Sequence, residues 1–207
     1  MPTIQTLLHA PRRTYLQPTP RSLLRTPLTA LLIFAFTIPA SAQWQDYIVT
    51  LAHDTIYGDL QFRFSTPSAL ETEDSSYPVN IRSVESWFSA SHKILTRRRM
   101  LPGKKKYLFL PVLESGAINL YVYTLNGGVN GTTTTAYYAE KRDSPLVEVW
   151  TNHGFLGSDN KTRRLALAAL IADNPAVKQT FDGDTKYDAI DAQYYIHEYN
   201  ITTTSAP

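Results

Sequence analysis

Hydrophobic and polar positions alternate through most of the chain between Gln43 and Thr151, and the period lengthens from Ser158 onward. Tyr47–Leu51 is rich in β-formers, Ala52–Asp54 is a turn, and Thr55–Phe64 alternates, with Ile56, Leu60, Phe62 and Phe64 on one face. Gly58 interrupts that run, as at a bulge or a close backbone approach. Ser65–Tyr77, containing STPS and ETEDSS, is expected to be an acidic loop. Ile81–Ser89 and His92–Met100 are weaker strands. Tyr107–Leu113 is apolar on both sides, as a central strand is, with Pro111 at a bulge. Ala117–Tyr123 alternates Ile118, Leu120 and Val122 with Asn119, Tyr121 and Tyr123. Gly127–Thr133 is a flexible loop, and Thr134–Glu140 with Leu146–Thr151 predicts another hairpin around Lys141–Ser144.

Lys161–Ala172 has helical spacing, with Leu165, Ala168, Ala169 and Ala172 in one stripe and Asp173-Asn174-Pro175 ending it. Asn174 before Pro175 opens a second helix over Ala176–Thr180. A third is expected from Thr185, where Thr185 and Asp188 have capping-box spacing, to about Tyr199, with Tyr187, Ile190 and Tyr194 on one face. Strands followed by helices predict an α+β fold. The expected form is a mostly antiparallel β-meander or partial barrel over about 43–151, then two or three C-terminal helices. Residues 43–207 form one domain in this reading, with a β-rich part at 43–154, a helical part at 155–200 and a disordered tail at 201–207.

The opening forty-two residues change the picture. They hold Arg12, Arg13, Arg21 and Arg25 and no acid; thirteen residues, Leu28–Ala40, then form an apolar run before Ala40-Ser41-Ala42. A positive start, a short apolar stretch and small residues at the end predict a signal peptide at 1–42. A membrane span needs about 20 apolar residues, so a retained anchor is disfavoured. Arg12-Arg13 also resembles a twin-arginine signal, although Gln17–Pro27 separates it from the apolar run. The chain has 20 basic and 18 acidic residues. Removing four leader arginines leaves an excess of acids, so a general nucleic-acid-binding role loses its support. The chain has no cysteine, so no disulfide, thiolate metal site or lipidated cysteine is available, and stability must come from the core.

Local charge survives in TRRRMLPGKKK, Thr96–Lys106. Pro102-Gly103 predicts a type II turn over Leu101–Lys104, which would set Arg97–Arg99 opposite Lys104–Lys106. Facing like charges are destabilising, so the arrangement suits either solvent or an anion. Arg97, Arg98, Arg99, Lys104, Lys105 and Lys106 are therefore candidate anion contacts. A solvated tip that discourages edge pairing is the competing explanation. Tyr121, Tyr123 and Tyr137 are candidates for an aromatic platform able to stack on sugar rings.

Three blocks, DYIVTLAHDTIYGDL, YLFLPVLESGAINLY followed by AYYAEK, and closing helices ending in EYN, resemble a family of small exported proteins of Gram-negative bacteria. The resemblance covers most of Trp44–Asn200. It implies an export signal, a strand-rich body and a helical tail, and brings no activity with it. TRRRMLPGKKK lies outside its pattern.

Catalytic signatures are sparse. Ser158 and Lys161 have Ser-x-x-Lys spacing without the downstream strand motif such enzymes need, and a helix cap explains Ser158, Asp159 or Asn160 equally. His53, His92, His153 and His197 are scattered, and Asp182, Asp184 and Asp188 do not match an EF-hand loop. No catalytic residue, metal or cofactor is expected. The expectation is an exported cell-envelope protein, periplasmic, outer-membrane-associated or extracellular, that binds or builds without catalysing. Its partners would be anionic polysaccharide, lipid headgroups or another envelope protein, with no nucleic acid and no membrane span after leader removal. The alternative is an envelope hydrolase whose site is assembled from dispersed residues.

Overall fold

A computed structural model of the chain describes residues 45–64, 66–126, 133–142, 144–152 and 160–204; these belong to one compact unit, Trp44–Pro207. The leader, the Gly127–Thr132 part of the expected loop, His153 and Ser158 lie outside the described residues.

Eleven strands are present in the described residues. Eight form one antiparallel sheet. Its meander runs β6 (Val84–Ser89), β7 (Ile94–Met100), β8 (Tyr107–Glu114), β9 (Ile118–Leu125), β10 (Thr134–Lys141) and β11 (Val147–Thr151), and the hairpin β1 (Tyr47–Thr50)–β2 (Thr55–Tyr57) extends it beyond β6. The sheet is an open meander with β2 and β11 at its edges and is not closed into a barrel. A second sheet joins β3 (Asp59–Arg63), β4 (Thr66–Glu71) and β5 (Ser76–Pro78). Three helices follow: α1 (Lys161–Leu170), α2 (Pro175–Gly183) and α3 (Ala189–Thr204). The fold is α+β, as the alternation followed by helical spacing predicts.

Cross-strand register places both covers on one face of the large sheet. Ile48 pairs with Ile56 and with Trp87, Trp87 with Thr96, and Thr96 with Pro111. The small sheet buries Leu60 and Leu70 against that half, with Ile48, Val84 and Trp87. Val112 pairs with Tyr121 on the opposite face, so alternation along β9 leaves Leu120 and Ile118 on the covered face. There they pack with Ala139 against Leu167, Ile171, Phe181 and Ile196 of the helical region. The opposite face has its own cluster of Leu101, Leu110, Tyr121, Ala136 and Tyr138.

Gly58 and Asp46 explain how the chain passes between sheets. The expected strand Thr55–Phe64 is broken at Gly58, whose added Cβ would lie 2.2 Å from the Glu71 carbonyl oxygen. Asp46 holds the crossing: its Oδ2 accepts from the Leu60 amide at 2.9 Å and its Oδ1 from the Ala90 amide at 2.6 Å. Phe64 leaves the expected apolar face, standing 91% exposed in a turn with φ of 50°. The expected loop at Ser65–Tyr77 instead supplies β4 and β5, because Leu70, fully buried, anchors a short strand that proline and serines disguise.

The helices form where expected but turn other faces inward. In α1, Leu167 and Leu170 are buried with Ile171 just beyond, while Leu165 is exposed with Ala169 and Ala172. Larger side chains win the core over alanines of equal periodicity, because burial free energy scales with apolar area. Asn174 caps α2 by accepting from the Val177 amide at 3.3 Å. The capping box of the third helix lies three residues later than expected. Asp188 Oδ1 accepts from the Ile190 and Asp191 amides, and Asp191 Oδ2 accepts from the Asp188 amide. That shift buries Ala192, Tyr195, Ile196 and Tyr199 and leaves Ile190 and Tyr194 exposed. The helix carries on to Thr204, into the span expected to be disordered. Among the described residues no helix is long and apolar enough to cross a membrane.

Candidate functional site

The basic run is divided by strand geometry. The Lys104 amide donates to the Leu101 carbonyl at 3.0 Å and Gly103 has φ of 72°, as a type II turn requires. The ladder, however, pairs Arg97 with Leu110, Arg98 with Phe109, Arg99 with Leu108 and Met100 with Tyr107. The arginines therefore do not face the lysines. Residues 101–106 form a wider loop because Leu101 is buried, drawing the chain inward before the turn closes. Lys104, Lys105 and Lys106 are exposed on that loop.

Alternation then separates the arginines. Arg98 takes the covered face, donating Nε to the Ile81 carbonyl at 2.8 Å with its guanidinium 3.4 Å from the Tyr107 ring centre. Arg97 and Arg99 take the other face. Arg97 donates Nη1 to Asn119 Oδ1 at 2.9 Å and Nη2 to Ser115 Oγ at 3.2 Å. Arg99 reaches Glu140 Oε1 through Nε at 2.8 Å and Nη2 at 2.7 Å. The Tyr121 hydroxyl donates to that same oxygen. Burial pushes the Tyr121 phenol up to about 12, and its bond to Glu140 adds to the rise.

These groups line a cleft of about 470 Å³ at the end of the sheet where the β8–β9 and β10–β11 turns lie side by side. Among the described residues four basic side chains, Arg97, Arg99, Lys141 and Arg142, face one acid, Glu140; Ser115, Asn119 and Ser144 add hydroxyl and amide groups. Lys141 is held from behind, with Nζ 2.6 Å from Asp173. Burial alone would lower its pKa, but the bonds to Asp173 and Tyr199 outweigh that and raise it. Lys141 in turn draws the Asp173 carboxyl below its ordinary value.

The α3 helix fixes the cleft floor. Asn200 Oδ1 accepts from the Ile118 amide at 2.8 Å, and its Nδ2 donates to the Ile118 carbonyl at 2.9 Å and to Glu114 Oε1 at 3.0 Å. A Cβ on Gly116 would come within 2.5 Å of Asn200, so this turn needs glycine. Glu114-Ser115-Gly116, AYYAEK and EYN, three pieces of the resembling blocks, thus meet at one joint.

The proposed tyrosine platform does not assemble. Tyr137 pairs with Val122, which puts it on the helix-covered face, 5.2 Å from the Trp150 ring centre and accepting from Gln193 Nε2 at 2.7 Å. Tyr121 and Tyr123 occupy the opposite face, where Tyr121 is fully buried. Neighbouring residues on a strand cannot share a face, so Tyr138 and not Tyr137 sits across from Tyr121.

The other candidates are occupied structurally. Asp182 pairs with Lys178, Asp184 accepts from the Tyr195 hydroxyl, and Asp188 caps α3. His53 meets Glu85, His92 meets Ser89 and Ser91, and His197 meets Glu114; none lines the cleft. Among the described residues no three histidine, aspartate or glutamate side chains gather as a metal site. Ser115, Asn119, Glu140, Lys141, Arg142 and Ser144 were not singled out from sequence. Their only signal was position, in two turns that a meander brings together.

Fold and site together define a class: an open antiparallel sheet covered on one face, with a cationic polar cleft at one end. No protein-family model matches this chain, and neither does any curated protein or solved structure.

Proposed function

We propose that this is an exported, non-enzymatic component of the cell envelope that binds anionic envelope material through the β7–β8 loop. The leader pattern of Met1–Ala42 supports export. The observation that carries binding is the presentation of Lys104, Lys105 and Lys106, all exposed, on a loop anchored by buried Leu101. None of the three has a carboxylate partner among the described residues, whereas Arg98 is held by the Ile81 carbonyl and Arg99 by Glu140. Anionic polysaccharide and anionic lipid headgroups both suit such a loop, as does an acidic surface of another envelope protein.

Cell fractionation and intact mass test the export half: the native product should start at Gln43 and be absent from the cytosol. Co-sedimentation with phosphatidylglycerol vesicles and with an immobilised anionic polysaccharide tests the binding half. Each lysine near an anionic surface contributes roughly 1 kcal/mol. Changing all three to glutamine should therefore weaken low-salt association about a hundredfold. Association that is unchanged in that variant, at low and high salt alike, rejects the reading.

A further inference from the structure

Arg97 stands out for its company. It is half-buried, yet no carboxylate of the described residues lies within salt-bridge distance; its partners, Asn119, Ser115 and the Tyr121 phenol, are neutral. Arg99 by contrast has Glu140, and Lys141 has Asp173. A guanidinium taken partly out of water without a counter-charge is costly. These neutral partners orient Arg97 without neutralising it and leave some of its five N–H donors unused. Arg142, exposed at the other lip, has no acid partner among the described residues either.

The surroundings narrow what anion this would be. The cleft is far larger than a bare carboxylate or phosphate and falls in the range of small-ligand sites. Among the described residues its lining has no aromatic or aliphatic side chain, only charged groups, two serines, an asparagine and the Gly116 backbone. Such a wall matches a ring bearing many hydroxyls and offers nothing to a fatty or aromatic acid. The site is also pre-organised, because Asn200 clamps the turn that carries Ser115 and Asn119.

We propose that this cleft binds an acidic sugar unit, a hydroxylated ring carrying one carboxylate or phosphate. Arg97 and Arg142 take the acid, and Ser115, Asn119 and Ser144 take ring hydroxyls. A uronic acid of a polysaccharide and a phosphorylated sugar of a glycolipid share this chemistry. The proposal rests on the reading that the protein binds anionic envelope material, and it assigns the selective contact to the cleft while the lysine loop supplies general attraction.

Calorimetric titration of the full native product tests it, with galacturonate and glucose 1-phosphate as separate arms and glucose, acetate and inorganic phosphate as controls. One acidic sugar should bind saturably and at least about tenfold tighter than every control, as one extra charge-assisted hydrogen bond would give. The arm that binds identifies the source. Asn119→Asp is nearly isosteric and hands Arg97 an internal carboxylate, so it should lose about tenfold or more with its melting temperature retained. Arg142→Gln, at an exposed position, should weaken binding without touching the fold. Changing Lys104, Lys105 and Lys106 to glutamine should leave sugar binding intact. No saturable binding of either acidic sugar, acetate or phosphate binding as tightly as the sugars, or full affinity in Asn119→Asp each overturns the proposal. Loss of vesicle and polysaccharide association in the lysine variant together with a silent cleft would sink this proposal alone. A sugar-binding cleft in a protein that ignores both materials would sink the broader reading alone.

Discussion

The two covers on the large sheet are built to different standards. The helical cover satisfies its polar groups at long range: Asn200 pairs with both backbone groups of Ile118, Tyr187 donates to the Val149 carbonyl at 2.6 Å, and Tyr199 donates to Asp173. The small-sheet cover is leaner and more strained. Its cluster has fewer buried residues, Trp87 Nε1 and Thr96 Oγ1 are buried without hydrogen-bond partners among the described residues, and Phe64 holds a left-handed turn in full solvent. The lesson is that one face of one sheet can be sealed either by side chains that mimic backbone pairing or by a tight backbone crossing with little tolerance. The candidate cleft lies at the first kind of seal, where rigidity favours binding.

The largest break should come at the crossing. Gly58→Ala forces a Cβ against the Glu71 carbonyl, and a backbone atom paired in β4 cannot step aside as a side chain does. A loss of about 3 kcal/mol is expected, near the upper end for single substitutions, read from the urea midpoint. Next, on the helical side, Asn200→Ala leaves the buried Ile118 amide and carbonyl without partners. Each orphaned group costs about 1–3 kcal/mol, so the expected loss is about 2–3 kcal/mol. It should also weaken ligand binding at the cleft, which Gly58→Ala should not. Equal effects of both on binding would erase the contrast between the covers.

How much of this was legible beforehand depends on distance along the chain. Strands such as Tyr107–Leu113 and Ala117–Tyr123 announced themselves, because a short apolar run and strict alternation are both local signals. Helix faces did not: Leu165 and Leu167 are both apolar, and only tertiary packing selects Leu167. The capping box was ambiguous by three residues because Thr185-x-x-Asp188 and Asp188-x-x-Asp191 have identical spacing. The cleft was the least legible. It joins residues near 97, 115 and 140, and Arg97 looked like one of six equal charges until register sent it to the face opposite Arg98. The polar members of the three resembling blocks, Asp46, Glu114 and Asn200, prove to be joints.

Alkaline pH should probe both faces of the sheet half that the helices cover. Burial pushes the phenols of Tyr121 and Tyr138 up to about 12, with Glu140 adding for the first and Glu148 for the second, and burial also raises Tyr187. A phenol has a pKa near 10 when unfolded. A raised folded value means that the neutral form is favoured by folding, so this contribution is complete below about pH 10 and is lost as pH rises through about 12. Urea midpoints should therefore fall across that window, and Tyr121→Phe should flatten the decline. A midpoint constant to pH 12 would contradict the burial of these side chains.

The smallest effect runs the other way, and it falls on the small-sheet side. Thr96 is 1% exposed, and its hydroxyl is unpartnered although Trp87, itself lacking a partner at Nε1, is its cross-strand neighbour. Valine nearly matches threonine in shape and removes the desolvated oxygen, so Thr96→Val should stabilise the fold by about 1 kcal/mol. A buried water linking Thr96 Oγ1 to Trp87 Nε1 would reverse the sign, since valine would then evict it and strand the indole N–H. Melting curves decide between them: a rise confirms a dry, imperfect seal under the small sheet, and a fall shows that this cover too satisfies its polar groups, through solvent in place of side chains.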